Sequence, residues 1–202
     1  MILIIDYGMS NLRSVSKAME KLGAAVKVSG DAKDIERADK VILPGVGAFG
    51  DAMAELEKRN LIEPLGKFAH SGKPFLGICL GLQLLFDSSE ESPGIQGLGI
   101  LPGKVIRFPR NRSLKVPHMG WNQIRIKKEG CPLLKEIKDS SFFYFVHSYY
   151  AQPQSPNVIL AESDYGGSFT CMIWKSNLYG AQFHPEKSQE SGLKTLSNFV
   201  KL

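Results

Sequence analysis

Three cysteines in 202 residues, Cys79, Cys131 and Cys171, are too few and too widely spaced for a disulfide framework. None stands in a CxxC pair, so no zinc site is expected. Charge of one sign is also scarce: 25 basic residues against 20 acidic ones leave a net +5, which gives no reason to expect nucleic acid. No apolar run is long enough for a membrane span. The opening "MILIID" stops at Asp6 and lacks the basic start of a secretory leader, so a cytosolic location is expected. There is no low-complexity tract, internal repeat or long linker. What remains is 43% apolar and 22% charged, ordinary for a globular chain that can bury a sizeable core, and residues 1–202 are read as one domain.

The first half alternates in period. "ILII" reads as a buried strand, "NLRSVSKAMEKLG" as a helix with Leu12, Val15, Met19 and Leu22 on one face, and Gly23 as its cap. "AAVKV" and "KVILPG" are further strands. "DAMAELEKRNLIEPLGKFA" is a helix interrupted near Pro64. "PFLGI" is a strand, and "LGLQLLF" enters a helix apolar nearly all round. Continuous apolar strands alternating with helices predict a mostly parallel central sheet covered on both faces. After Asp87 the segments shorten. "SSEESPGIQGLG" is a loop, and "KVIRF", "NQIRI", "FFYFVHSYY", "NVILAES", "FTCMIW" and "LYGAQF" are strands expected to add antiparallel strands at the sheet edge. "QESGLKTLSNFVKL" closes as an amphipathic helix.

Within "PFLGICLGLQLLF", Gly77 and Gly81 stand two residues before and after Cys79. Strand, small residue, cysteine, small residue, helix is the form of a nucleophile elbow, and the helix dipole favours the attacking thiolate. A buried structural cysteine has the same surroundings, and the segment alone leaves both readings open. A nucleophile needs a base. "YGAQFHPEKS" puts His184 just past an apolar strand with Glu186 two residues on, so the carboxylate can hold the imidazole's tautomer. An oxyanion needs backbone donors. One is the N–H of Leu80; a second can come from the glycine-rich "LPGVGAFG", at Gly45, Val46 or Gly47. Gln83, a lone amide one turn past Cys79, either binds substrate or satisfies a neighbouring backbone group. His147 is a possible binding residue, His70 a solvated helix-end partner, and His118, with no carboxylate nearby, is given no catalytic role.

Six segments in order along the chain resemble the class I glutamine amidotransferases, the Cys-His-Glu glutaminases: "IIDYGMSNLRSV", "LPGVGAFGDAM", "GICLGLQLLF", "VPHMGWN", "FFYFVHSYY" and "QFHPEKS". More narrowly they resemble the glutaminase subunits of imidazole glycerol phosphate synthases. Ser10 replaces a usual Gly, a small swap. The resemblance implies a flavodoxin-like α/β fold and hydrolysis of glutamine to glutamate and ammonia, with no metal or organic cofactor. It implies a heterodimer with a cyclase subunit, a (β/α)8 barrel that takes the ammonia and makes imidazole glycerol phosphate and aminoimidazole carboxamide ribotide. It implies Cys79 as nucleophile, His184 as acid and base, Glu186 as orienter, and Val46 and Leu80 as oxyanion donors, with the "PGVG" strand adjustable. Gly47, Gln83, Ser148 and Tyr149 would hold glutamine, and Trp121, Tyr144 and Lys187 would meet the barrel. Paralogues that supply ammonia to amidate a bacterial surface sugar look very similar. A non-catalytic partner of the barrel, or a stress protein of related fold, fits the intact Cys-His-Glu set less well. The basic run "RFPRNRSLK", with Arg107, Arg110, Arg112 and Lys115, reads as a solvated loop.

Overall fold

The computed structural model describes residues 1–109 and 114–202. Arg110 and Arg112 of the basic run fall outside them. The strands are β1 (Ile2–Ile5), β2 (Val26–Ser29), β3 (Lys40–Gly45), β4 (Phe75–Cys79), β5 (Phe86–Ser89), β6 (Leu101–Arg107) and β7 (His118–Gln123). They continue as β8 (Arg125–Ile126), β9 (Phe142–His147), β10 (Tyr149–Pro153), β11 (Ile159–Asp164), β12 (Ser168–Lys175) and β13 (Leu178–Ala181). The helices are α1 (Leu12–Lys21), α2 (Ala32–Arg37), α3 (Phe49–Lys58), α4 (Ile62–Ala69), the single turn α5 (Leu80–Gln83) and α6 (Gln189–Lys201).

Eight strands form the main sheet in the order β2-β1-β3-β4-β13-β12-β11-β8. The first five run parallel; β12, β11 and β8 extend the edge antiparallel. The apolar run of β1 explains the layering. Leu3 and Ile5 face one core with Val41, Leu43, α3 and α4, while Ile2 and Ile4 face the other with Ile42, Leu76, α1 and α6. A strand read at period two, with both sets of residues buried, needs cover on both sides.

The structure corrects several expectations. The second-half strands do not all join the main sheet: β5, β6 and β10 form a three-stranded sheet and β7 with β9 a two-stranded ribbon. "FFYFVHSYY" is accordingly two strands in different sheets, broken at Ser148. The helix after Cys79 is one turn, because Phe86 already starts β5; its dipole is correspondingly short. The break in the long helical segment lies at Asn60, whose φ is +56°, and not at Pro64. Pro64 sits in the first turn of α4, where a missing N–H costs nothing. The short helix α2, capped by the Asp31 side chain on the Lys33 N–H, was not expected. α1 ends as expected, with the N–H groups of Gly23 and Ala24 closing on the Glu20 and Met19 carbonyls. No helix among the described residues is long and apolar enough to cross a membrane.

Candidate active site

The carboxyl ends of β4 and β13 lie side by side, with Ile78 opposite Ala181, so the chain leaves both strands at one edge of the sheet. On β4 it turns at Cys79, whose φ of +55° and ψ of −111° no residue with a side chain adopts without strain. The flanking glycines make the turn possible. A Cβ on Gly77 would stand 2.7 Å from the Gly81 carbonyl oxygen, and one on Gly81 only 1.8 Å from that of Leu43. Gly81→Ala is therefore expected to cost at least about 3 kcal/mol, the upper range for overpacking, since backbone must move. A denaturant midpoint unchanged from the native chain would show that the elbow does not need this glycine.

Beyond β13 the chain delivers His184, buried at 3% exposure. The Nδ1–H of His184 donates to Glu186 Oε1 at 2.8 Å, and that carboxylate is itself buried. The backbone around them is fixed. The His184 N–H donates to the Tyr144 carbonyl of β9 at 2.9 Å, and Ser188 Oγ accepts from the Tyr144 N–H while donating to the His184 carbonyl. His184 Nε2 has no hydrogen-bond partner and lines the same cavity as Cys79. Burial opposes a charged ring here. The Cys79 sulfur and the Glu186 carboxylate outweigh it and raise His184 to about 10. Folding thus favours the imidazolium. Its stabilising contribution is complete below the ring's ordinary 6.5 and is lost as pH rises through about 10. NMR titration is expected to find His184 protonated well above neutrality in the native chain and shifted down in Cys79→Ala. The same midpoint in both proteins would separate His184 from the sulfur. The other thiols differ: Cys131 and Cys171 are buried, and burial pushes both up, as inert core cysteines.

Cys79 and His184 open on a cavity of about 360 Å3. Val46, Gly47, Leu80, Gln83, Ser148 and Tyr149 all line it, so the residues expected to hold substrate and oxyanion share one space. In this arrangement the Val46 N–H donates to the Met9 carbonyl at 2.9 Å, away from the role expected of it. Leu80, the first residue of α5, has no intrahelical acceptor for its N–H. The Gln83 amide serves the protein: its Nε2 donates to the Tyr149 carbonyl at 2.9 Å and to Gln182 Oε1 at 3.0 Å, leaving its oxygen for a ligand. Trp121, Tyr144 and Lys187 lie outside the cavity, clustered beside it. The Trp121 and Tyr144 rings are 6.1 Å apart, and Lys187 Nζ is 6.0 Å from the Tyr144 ring. His70 bonds the Gly66 carbonyl at the end of α4, as expected.

Sequence reasoning missed two groups. Gln182, fully buried two residues before His184, was passed over, though an amide in an apolar strand end is itself a signal. His118 was left without a role. The structure pairs it with His147, and one fact fixes both tautomers. The Tyr149 carbonyl can only accept, so His147 Nδ1 carries the proton at 2.8 Å. His147 Nε2 then accepts from His118 Nδ1–H at 3.0 Å, and His118 Nε2 accepts from the Asn122 side chain at 3.3 Å. Burial holds both rings neutral, His118 at about 4 and His147 at about 3. This chain of bonds ties β7 to the wall of the cavity.

A family model described as "Glutamine amidotransferase class-I" matches residues 3–202. Among curated proteins, an "Imidazole glycerol phosphate synthase subunit HisH" of Desulfitobacterium hafniense is 54% identical over 201 residues, covering 100% of this chain and 94% of the relative. One of the same description from Methanothermobacter thermautotrophicus is 53% identical, covering 100% and 98%. Among solved structures, PurLQS from Thermotoga maritima superposes with a TM-score of 0.77 at 21% identity, over 99% of this chain and 97% of that one, a likeness of fold.

Proposed function

The chain belongs to the class-I glutamine amidotransferase family, and on that footing we propose that it is the glutaminase subunit of an imidazole glycerol phosphate synthase in histidine biosynthesis. The observation that carries the reading is the convergence of Cys79 and His184 on one cavity at the sheet's carboxyl edge, with Glu186 bonded to the far nitrogen of the His184 ring. Residues 1–202 act as one glutaminase unit. The three unpaired cysteines suit a reducing cytoplasm.

Glutamine lies in the cavity, held by Gly47, Gln83, Ser148 and Tyr149. The Cys79 thiolate attacks the side-chain amide carbon, forming a C–S bond and an oxyanion beside the Leu80 N–H. As the adduct collapses the C–N bond breaks, and His184 Nε2–H protonates the departing nitrogen, which leaves as ammonia. His184 then takes a proton from water attacking the thioester. The C–S bond breaks and glutamate departs. Glu186 keeps the ring oriented through Nδ1 and stabilises its charged form throughout. A ring held protonated to about 10 is the acid that the first half of this cycle needs.

The cyclase barrel docks on the outer face of the β7–β9 ribbon. Its register puts Trp121 opposite Tyr144 and Gln123 opposite Phe142, and Met119, Trp121 and Phe142 are exposed there at 62%, 46% and 52%. Ammonia leaves toward that face, beside Tyr144 and Lys187. Amidation of a surface sugar finds no support, since the similar proteins carry the histidine-pathway description. Mixing the chain with a cyclase barrel, its ribonucleotide substrate and glutamine tests the reading. Formation of imidazole glycerol phosphate is expected; a chain that leaves the barrel dependent on added ammonia would not be its glutaminase.

A further inference from the structure

We propose that Gln182 is a further catalytic residue of this site, one that donates a hydrogen bond to the reacting sulfur and couples that sulfur to the substrate wall. Gln182 is fully buried where β13 gives way to the His184 loop, its own N–H bonded to the Cys171 carbonyl at 2.8 Å, so its side chain is held on a fixed backbone. Its Nε2 lies 3.7 Å from Cys79 Sγ, within range of an N–H to sulfur bond. Its Oε1 accepts from Gln83 Nε2 at 3.0 Å, and Gln83 Nε2 also reaches the Tyr149 carbonyl. The two ends of one amide thus connect the nucleophile to two residues that line the cavity.

The chemistry gives each end a different task. As a thiol, Cys79 finds only the Val146 carbonyl at 3.9 Å as an acceptor. As a thiolate it needs donors, and a carbonyl is not one. His184 supplies a mobile proton that is spent on the leaving nitrogen. The Gln182 amide N–H cannot be given up, so it remains beside the sulfur when thiolate is regenerated on release of glutamate. A donor to a charged atom is stronger than one to a neutral atom, and its effect is greatest on the charged sulfur. The Gln83 contact keeps the amide from rotating its oxygen toward the thiolate.

This inference rests on the glutaminase reading, and the test separates the two. In Gln182→Glu the Gln83 amide keeps an oxygen acceptor, but the sulfur loses its N–H donor and, once the carboxyl ionises, faces an anion. Gln182→Met removes both ends of the bridge without adding charge. Alkylation of Cys79 by iodoacetamide is expected to slow about tenfold to a hundredfold in both variants, the worth of one hydrogen bond to a charged group. kcat for glutamine hydrolysis in the complex should fall alongside. KM should stay near the native value in Gln182→Glu and rise in Gln182→Met, where Gln83 loses its acceptor. Melting temperatures establish that the variants are folded. Native alkylation rates in folded variants, or a slow rate in Gln182→Met alone, overturn the proposal. A measurement without substitution stands beside them: the Gln182 side-chain N–H resonance should shift over the pH range in which Cys79 alkylation accelerates, and a flat resonance also overturns it. If instead Cys79→Ala still hydrolyses glutamine, the glutaminase reading itself has failed.

Discussion

Cys79→Ala is expected to abolish glutamine hydrolysis while leaving ammonia-driven synthesis by the complex intact. Cys79 is the cysteine that lines the cavity, whereas Cys131 and Cys171 sit in the core with burial working against their thiolates. With the sulfur gone no thioester can form, and the loss should be on the order of 10⁶, as when a triad nucleophile is deleted. The substitution removes one buried atom and keeps a Cβ, so the turn, already paid in strain at a φ of +55°, is retained. Synthesis from added ammonia isolates the second chemistry, which belongs to the barrel. It should proceed at the native rate, since the proposed docking face of β7 and β9 is untouched. Residual glutaminase activity beyond contamination would mean that Cys79 is structural and that another group attacks.

The isolated chain is expected to be a poor glutaminase, and the barrel with its nucleotide ligand should raise glutamate release by two to three decades. In the structure the Val46 N–H is tied to the Met9 carbonyl at 2.9 Å, so one of the two proposed oxyanion donors is engaged elsewhere. One missing donor costs about 2.7–4 kcal/mol in the transition state. Breaking a single backbone bond and rotating the Gly45–Val46 peptide restores it, and no member of the Cys-His-Glu set has to move. Gly45 lies beside Cys79 in the β3–β4 register, so a rotation there acts directly on the sulfur's surroundings. Val46→Pro removes the N–H in question. It should leave complex formation and ammonia-driven synthesis near native, and glutamate release low with or without ligand. Comparing the native chain and this variant, each with and without barrel and ligand, decides the matter. Full activity from the native chain alone, or normal activation in Val46→Pro, would remove the switch and leave the Cys-His-Glu assignment standing.

Local pattern was enough for much of this protein. The apolar runs of β1, β3 and β4 announce strands buried on both faces, and that alone requires a parallel sheet between helical layers. The elbow was legible because much of its constraint is local: Gly77, Cys79 and Gly81 are within five residues, and Gly77 meets the Gly81 carbonyl inside the turn, although the tightest approach, of Gly81 to the Leu43 carbonyl, comes from β3. His184 and Glu186 were legible for the same reason, two residues apart at a strand end. Contacts between distant segments were not. The split of "FFYFVHSYY" at Ser148 follows from which strands it meets, β7 on one side and β6 on the other, and nothing in its own alternation marks the break. The short α5 is cut off by pairing of Phe86 with Leu101. α3 has no capping side chain of its own at Ala48; Glu91 and Ser92, read only as loop, accept the N–H groups of Phe49 and Gly50. Gln182 lies 103 residues from the sulfur it touches, and the Met9 carbonyl accepts the Val46 N–H across the end of the sheet. Periodicity and turn chemistry report what a segment does with its neighbours in the chain. Which amide faces the sulfur, and where the Val46 N–H points, depend on backbone brought together by the fold, and only the tertiary structure could decide them.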